Sequence, residues 1–166
     1  MNDIKNFNEL KNKVVKRGGF FVYLYFDIHS TDKENMQNLA IAFTSKITNE
    51  KGVSFGVGEI EEPIFKDNLY STAIKVSLLV EDFKTLVGLT MRYMPIAIEI
   101  EEPLEITLNV GEIQKTLFEI SEFNQQLTNH ILTKGMSEEE KKRFQQEIAT
   151  KILLGKRIME QQKEKK

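Results

Sequence analysis

The sequence has no cysteine at all and only two histidines, His29 and His130, in 166 residues. Without thiols there is no structural disulfide, no thiolate zinc site, no iron–sulfur cluster and no cysteine nucleophile. Two histidines do not make a multi-histidine metal site within one chain. No apolar run approaches the roughly 20 residues that span a bilayer. The N-terminal MNDIKNFNELKNK lacks the apolar core of a signal peptide, so the expected compartment is the cytoplasm. A large basic excess is also lacking, since the formal net charge is −2 and the sequence pI about 5.8. That argues against a chain that binds nucleic acid by overall electrostatics.

What is present is a globular composition, 40% hydrophobic and 29% charged, long enough for one domain with a proper core. The charge is unevenly spread. Residues 1–54 carry eight Lys/Arg against six Asp/Glu, residues 55–122 five against thirteen, and residues 123–166 ten against six. An acidic middle between basic ends keeps the chain soluble. It would also suit self-association or a basic partner.

Periodicity predicts the elements. A short helix over 5–17 ends at Gly18-Gly19. FFVYLYFDIH, residues 20–29, reads as a strand rich in aromatic and branched side chains. Thr31 and Glu34 have capping-box spacing, so a helix should start near Asp32, with Met36, Leu39, Ala40, Phe43 and Ile47 on one face. VSFGVGEIE, residues 53–61, is a second strand whose glycines suggest a bulge or the close approach of another backbone. Lys66-Asp67-Asn68 turns into a third strand over 69–80. Asp82 is the expected N-cap of a helix over 83–93, with Phe83, Leu86, Val87 and Met91 inward. Pro95 opens a fourth strand, and LEITLNV, residues 104–110, alternates like a fifth or like the fourth continued past Pro103. Two helices follow, the first from about Glu112 to Leu132, the second after a Ser137/Glu140 capping box.

Strand–helix–strand twice over predicts an α+β fold, a ferredoxin-like split βαβ sandwich with an antiparallel sheet and two C-terminal helices. Residues 1–110 form its α+β domain and residues 111–166 a helical extension packed on the domain or on a partner subunit. Over roughly residues 20–103 the arrangement resembles that of ACT-type regulatory modules and RNA-recognition motifs; the resemblance is of fold, and fold does not imply function. The hexapeptides EIEEPI (59–64) and EIEEPL (99–104) each close one unit, which suggests an internal duplication.

Strand alternation then assigns faces. Phe20, Val22, Leu24, Phe26 and Ile28, with alternate residues 72–80 and with Ile96, Ile98 and Ile100, should meet the two crossover helices. The second face carries Phe21, Tyr23, Tyr25, Asp27 and His29, with Lys75 beside them and Glu59, Glu61, Glu99 and Glu101 if the strands stay regular. It is too aromatic for plain solvent, and the C-terminal helices or another subunit are expected to cover it.

Tyr23, Tyr25, Asp27, His29 and Lys75 are the candidate ligand-binding residues. Asp27 and His29 near Lys75 have the makings of an anion site or a proton relay. Glu59, Glu61, Glu99 and Glu101 are the candidate metal ligands. If the hexapeptides sit on opposite edges, about 15 Å separates them, too far for one ion without a neighbouring subunit; edge carboxylates also deter unwanted strand pairing. No Gly-rich phosphate loop is present, and Ser30 and Thr31 lack a base, so no catalytic residue and no cofactor is assigned. In the first of the last two helices Ile113, Leu117, Ile120, Asn124, Leu127 and Ile131 form a heptad-like seam suited to self-association. Phe144, Ile148, Ile152, Gly155 and Met159 line one side of the second helix, and Lys151, Lys156, Arg157, Lys163, Lys165 and Lys166 make its end basic.

The sequence therefore points to a non-catalytic ligand-binding or regulatory module working as a homo-oligomer, with a small molecule as its ligand and no membrane. The rival is a small enzyme or divalent-metal protein using the Glu-rich strand ends and His29. A third reading is an RNA-associated module, against which the acidic middle argues.

Overall fold

The computed structural model describes residues 2–164, and the side chains within them except those of 2–5, 156 and 158–164. Lys165 and Lys166, at the expected basic end, lie outside the described residues, as do the side chains of Lys156, Met159 and Lys163. The chain divides into two compact units, Met1–Thr107 and Leu108–Lys166.

The first unit is an α+β layer built on an open antiparallel sheet of five strands. Helix α1 (Asn2–Lys16) precedes strand β1 (Phe20–Ser30). Helix α2 (Lys33–Thr48) leads to β2 (Val53–Ile60), the short β3 (Ile64–Lys66) and β4 (Leu69–Val80). Helix α3 (Phe83–Tyr93) leads to β5 (Ala97–Glu102). The order across the sheet is β2-β4-β1-β5, with β3 paired to one end of β4. The Asp67-Asn68 turn between β3 and β4 has positive φ at both residues, 51° and 62°, which is the two-residue hairpin geometry that Asn and Asp accept most readily among side-chain-bearing residues. The three-residue β3 is an addition to the predicted elements.

Parity in β1 separates the two faces. Phe20, Val22, Leu24 and Phe26 join Ile74, Val76, Leu78 and Val80 of β4 in the core, under Ala40 and Ile47 of α2 and Leu86 and Leu89 of α3. Those side chains are nearly all withdrawn from water, and fully burying each of the larger ones contributes roughly 1.5–3 kcal/mol. Helix α2 comes down so closely on β2 that a Cβ at Gly58 would lie 2.1 Å from the Thr44 methyl carbon; the glycine admits side chains of α2, not another backbone.

Several expected details change. The cap of α2 is Asp32, whose carboxylate accepts from the Asn35 amide, not Thr31. In α3 the buried residues are Leu86 and Leu89, while Val87 and Met91 stay partly exposed. Ile96, Ile98 and Ile100 do lie on the helix side of β5, in line with Leu24 and Val22, yet they remain exposed, because α2 lies over β2, β4 and β1. Residues 104–109 form no strand. The alternation there finds no neighbour to pair with, and Asn109 instead opens the next helix through a capping box with Glu112.

The second unit holds α4 (Val110–Leu132), a 3₁₀ turn (Thr133–Gly135) and α5 (Glu138–Glu164). Ser137 and Glu140 cap α5 reciprocally, and the Ser137 hydroxyl, then its backbone amide, donate to the Glu140 carboxylate and hold it below its ordinary pKa. The expected heptad seam faces α5 in part, since Leu117, Ile120 and Asn124 line a groove together with Phe144 and Ile148 of α5. Phe118 packs at Gly155, whereas Leu117, Leu127 and Ile131 of the seam are exposed.

Candidate functional site

The second face of the sheet is half covered, and by α1. Phe7 of α1 packs edge-on to Phe21 (5.7 Å between centroids) and against Phe55 of β2 (4.9 Å). Lys11 pairs with Glu102 and stands over the Phe21 ring. Phe21 and Leu79 are buried under this cover. At this end of the face the cover is the first helix, a role the sequence reading did not assign to it. The signal was there in Phe7, Leu10 and Val14, one apolar stripe directly ahead of the strand it covers.

Beyond α1 the face stays half-open and carries the candidate residues. The register sets Tyr25 opposite Lys75, and Lys75 opposite Glu59 on the far side; Tyr23 stands opposite Ser77 and Glu99. The Lys75 ammonium lies 4.0 Å from the centroid of the Tyr23 ring, an electrostatic contact with the negative face of the π system. The Tyr25 hydroxyl donates to Glu99 Oε2 at 2.9 Å. That hydrogen bond, then partial burial and the charges of Glu99 and Glu59, raise the Tyr25 pKa above its ordinary value. Tyr23, Tyr25, Lys75, Glu59 and Glu99 therefore form one cross-strand cluster.

Asp27 and His29 form a second group at the end of β1. His29 Nε2 lies 3.2 Å from Asp27 Oδ2, and Ser71 of β4 donates to Asp27 Oδ1 at 3.1 Å. The carboxylate sits between the hydroxyl and the imidazole. That is not a nucleophile relay, which needs the imidazole in the middle. Lys75 turns to Tyr23, along the strand away from Asp27, so the expected Asp–His–Lys grouping is divided in two.

The four candidate metal ligands are not brought together. Glu59 is on β2 and Glu99 on β5, opposite edges of the sheet with β4 and β1 between. Glu61 follows the end of β2 and lines a cleft of about 400 Å³ with Gln37, Asn38 and Ile41 of α2 and with Pro63; its carbonyl accepts from the buried Thr72 hydroxyl at 2.7 Å. A bulge displaces Glu101. Pairing with β1 runs Val22 to Ile100 but Phe21 to Glu102, so Glu102 takes the place on the second face that regular alternation would give Glu101. Among the described residues no cluster of three or more His, Asp or Glu is arranged to hold a metal ion, and no helix is long and apolar enough to cross a membrane.

A further cleft, of about 330 Å³, opens on the helix side beside β5 and was not legible in the sequence. Phe26, Leu39, Phe43, Tyr93, Met94 and Ile96 line most of it. At its edge the Tyr93 hydroxyl donates to Glu50, which also meets Arg92 at 3.3 Å. Burial first, then the hydrogen bond to that carboxylate, pushes the Tyr93 pKa up to about 12.

Residues 22–163 match the MJ0538 family. No curated protein and no solved structure matches the chain.

Proposed function

The chain belongs to the MJ0538 family, and from that premise we propose that it is a non-catalytic ligand-binding or regulatory module that works as an oligomer on a ferredoxin-like framework. The strand order β2-β4-β1-β5, with a helix between β1 and β2 and another between β4 and β5, supports the split βαβ description once β3 is counted as an added hairpin strand. In that frame the two repeated hexapeptides end the strands that follow the two crossover helices, on the two sheet edges.

One observation carries the functional reading. On the face that α1 leaves half-open, the charged and hydroxyl groups pair with each other: Lys75 with the Tyr23 ring and Tyr25 with Glu99. Such a surface offers two aromatic rings and exchangeable polar partners to a ligand, without a nucleophile or a base aimed at a common point. With Glu59 opposite Lys75 and Glu99 on the Tyr25 hydroxyl, the surface favours a cationic small molecule over a phosphate. The same charges weigh against RNA, which needs basic groups beside the stacking rings.

The test is a melting-temperature screen of the full chain against amino acids, polyamines and nucleotides. A cationic compound should raise the melting temperature of the wild type, and Glu99→Gln and Tyr23→Ala should lose that rise. A shift preserved in both variants, or produced only by anions, would refute the assignment.

The Asp27–His29 contact at 3.2 Å supports the second reading, a small acid–base enzyme. Substituting His29→Gln should leave the ligand-induced shift intact under the first reading and abolish turnover under the second.

A further inference from the structure

Among the described residues β5 pairs with β1 alone, so its outer edge is open. Its helix side is also bare. Met94 is 77% exposed, Ile96 71%, Ile98 43% and Ile100 46%, and the apolar residues continue into Leu104 (94%) and Ile106 (46%). Taking about 200 Å² for each whole residue, Met94, Ile96, Ile98 and Ile100 leave roughly 470 Å² of apolar surface open to water, over half of the ~800 Å² that each partner contributes to a standard stable interface, and a patch of that size marks an interaction site. The opposite edge differs. There α2 presses Thr44 and Thr48 onto Gly58 and Gly56 of β2, so the helix side of that edge is occupied.

We propose that the β5 edge is the dimer interface, joined antiparallel to β5 of a second copy about a twofold axis through Ile98. Pairing centred on Ile98 sets Ile98 against its own copy and Ile96 against Ile100, all on the bare helix side, and places Ala97 opposite Glu99 on the other face. Centring one residue later sets Glu99 directly against Glu99, a like-charge pair that strand pairing disfavours. The charges thus select one register, and it is the one that pools the isoleucines. The bulge at Glu101 and Pro103 beyond it stop the pairing after Ile100. Because the contact is isologous it closes at two chains and does not propagate into a fibre. The two sheets become one continuous sheet, with the Tyr25–Glu99 pairs of both copies on the same face beside the axis.

This takes the oligomer of the functional reading as given and assigns its interface, and the absence of native cysteine gives a direct test. Residues paired across a twofold in an antiparallel ladder have Cα atoms about 4.5–5.5 Å apart, within disulfide reach. Mass measured by light scattering should be twice the 19.2 kDa of one chain. Ile98→Cys should oxidise to a covalent dimer. Ile100→Cys alone should not, but should cross-link when mixed with Ile96→Cys. Ile98→Lys should be a monomer with an unchanged circular dichroism spectrum. A dimer that Ile98→Cys fails to lock would overturn this interface while leaving the oligomer standing, as it would if α4 and α5 did the pairing. A monomer at every concentration would overturn the interface and the oligomer together, and would leave the ligand screen to decide the rest of the functional reading.

Discussion

Raising the pH above 10 should weaken the fold through Tyr93. Its hydroxyl donates to Glu50, and its ring packs edge-on to Phe43 at 5.8 Å. Burial, and then the carboxylate it bonds, lift its pKa from 10.0 to about 12. The folded state therefore holds the phenol proton more tightly than the unfolded chain does. The stability from this group is complete below pH 10, falls as pH climbs towards 12, and is gone above that. Two pH units correspond to at most about 2.7 kcal/mol, and solvent near the partly exposed ring reduces this to about 1–2 kcal/mol. Urea unfolding of wild type and Tyr93→Phe, followed by amide circular dichroism from pH 8 to 11.5, measures it. At pH 8 the wild type should unfold at a midpoint higher by about 0.5–1 M. By pH 11.5 most of that gap should have closed, because the variant has no phenol to ionise at this position. Other tyrosines and lysines titrate equally in both proteins and cancel in the difference. A gap constant across the range would refute the proposed burial and bonding of Tyr93.

Three further outcomes follow from individual contacts. Glu99→Gln should lower the Tyr25 pKa, whose rise comes first from the hydrogen bond to that carboxylate, and titration of the phenol resonances would show it; an unmoved value would mean the bond is not made. Gly58→Ala sets a methyl group 2.1 Å from a stiff, β-branched Thr44 and should cost about 1–3 kcal/mol, whereas Gly135→Ala meets nothing within 4 Å and should melt within a degree or two of wild type. Equal melting of the two variants would contradict the packing of α2 on β2. Asn109→Ala removes the side-chain half of the α4 capping box and should cost about 1 kcal/mol, read from thermal melts at 222 nm; no loss would place the start of α4 elsewhere.

The elements of the first unit were legible because local rules determine them. Alternation marks β1 and β4, and Asp82 marks the start of α3, with little dependence on the rest of the chain. Parity in β1 was readable for the same reason: successive strand side chains point to opposite faces whatever covers them, so Val22 and Leu24 go one way and Tyr23 and Tyr25 the other. Strand order and cover are decided by distant parts of the chain competing for the same surface. The periodicity of α1 shows an apolar stripe without saying that it rests on Phe21 and Phe55. The repeat of Ile96, Ile98 and Ile100 shows a face without saying that α2 lies over other strands and leaves it bare. The alternation of residues 104–109 needs a neighbouring strand to become one, and among the described residues none pairs with it. Glu101 lost its expected place to Glu102 because one extra residue in the ladder reverses side-chain parity from that point, and only the pairing with β1 creates that bulge. By itself, then, the sequence determined which segments extend or coil and which side chains share a face. The tertiary structure alone decided which faces are covered, because burial depends on contacts between residues far apart in the chain.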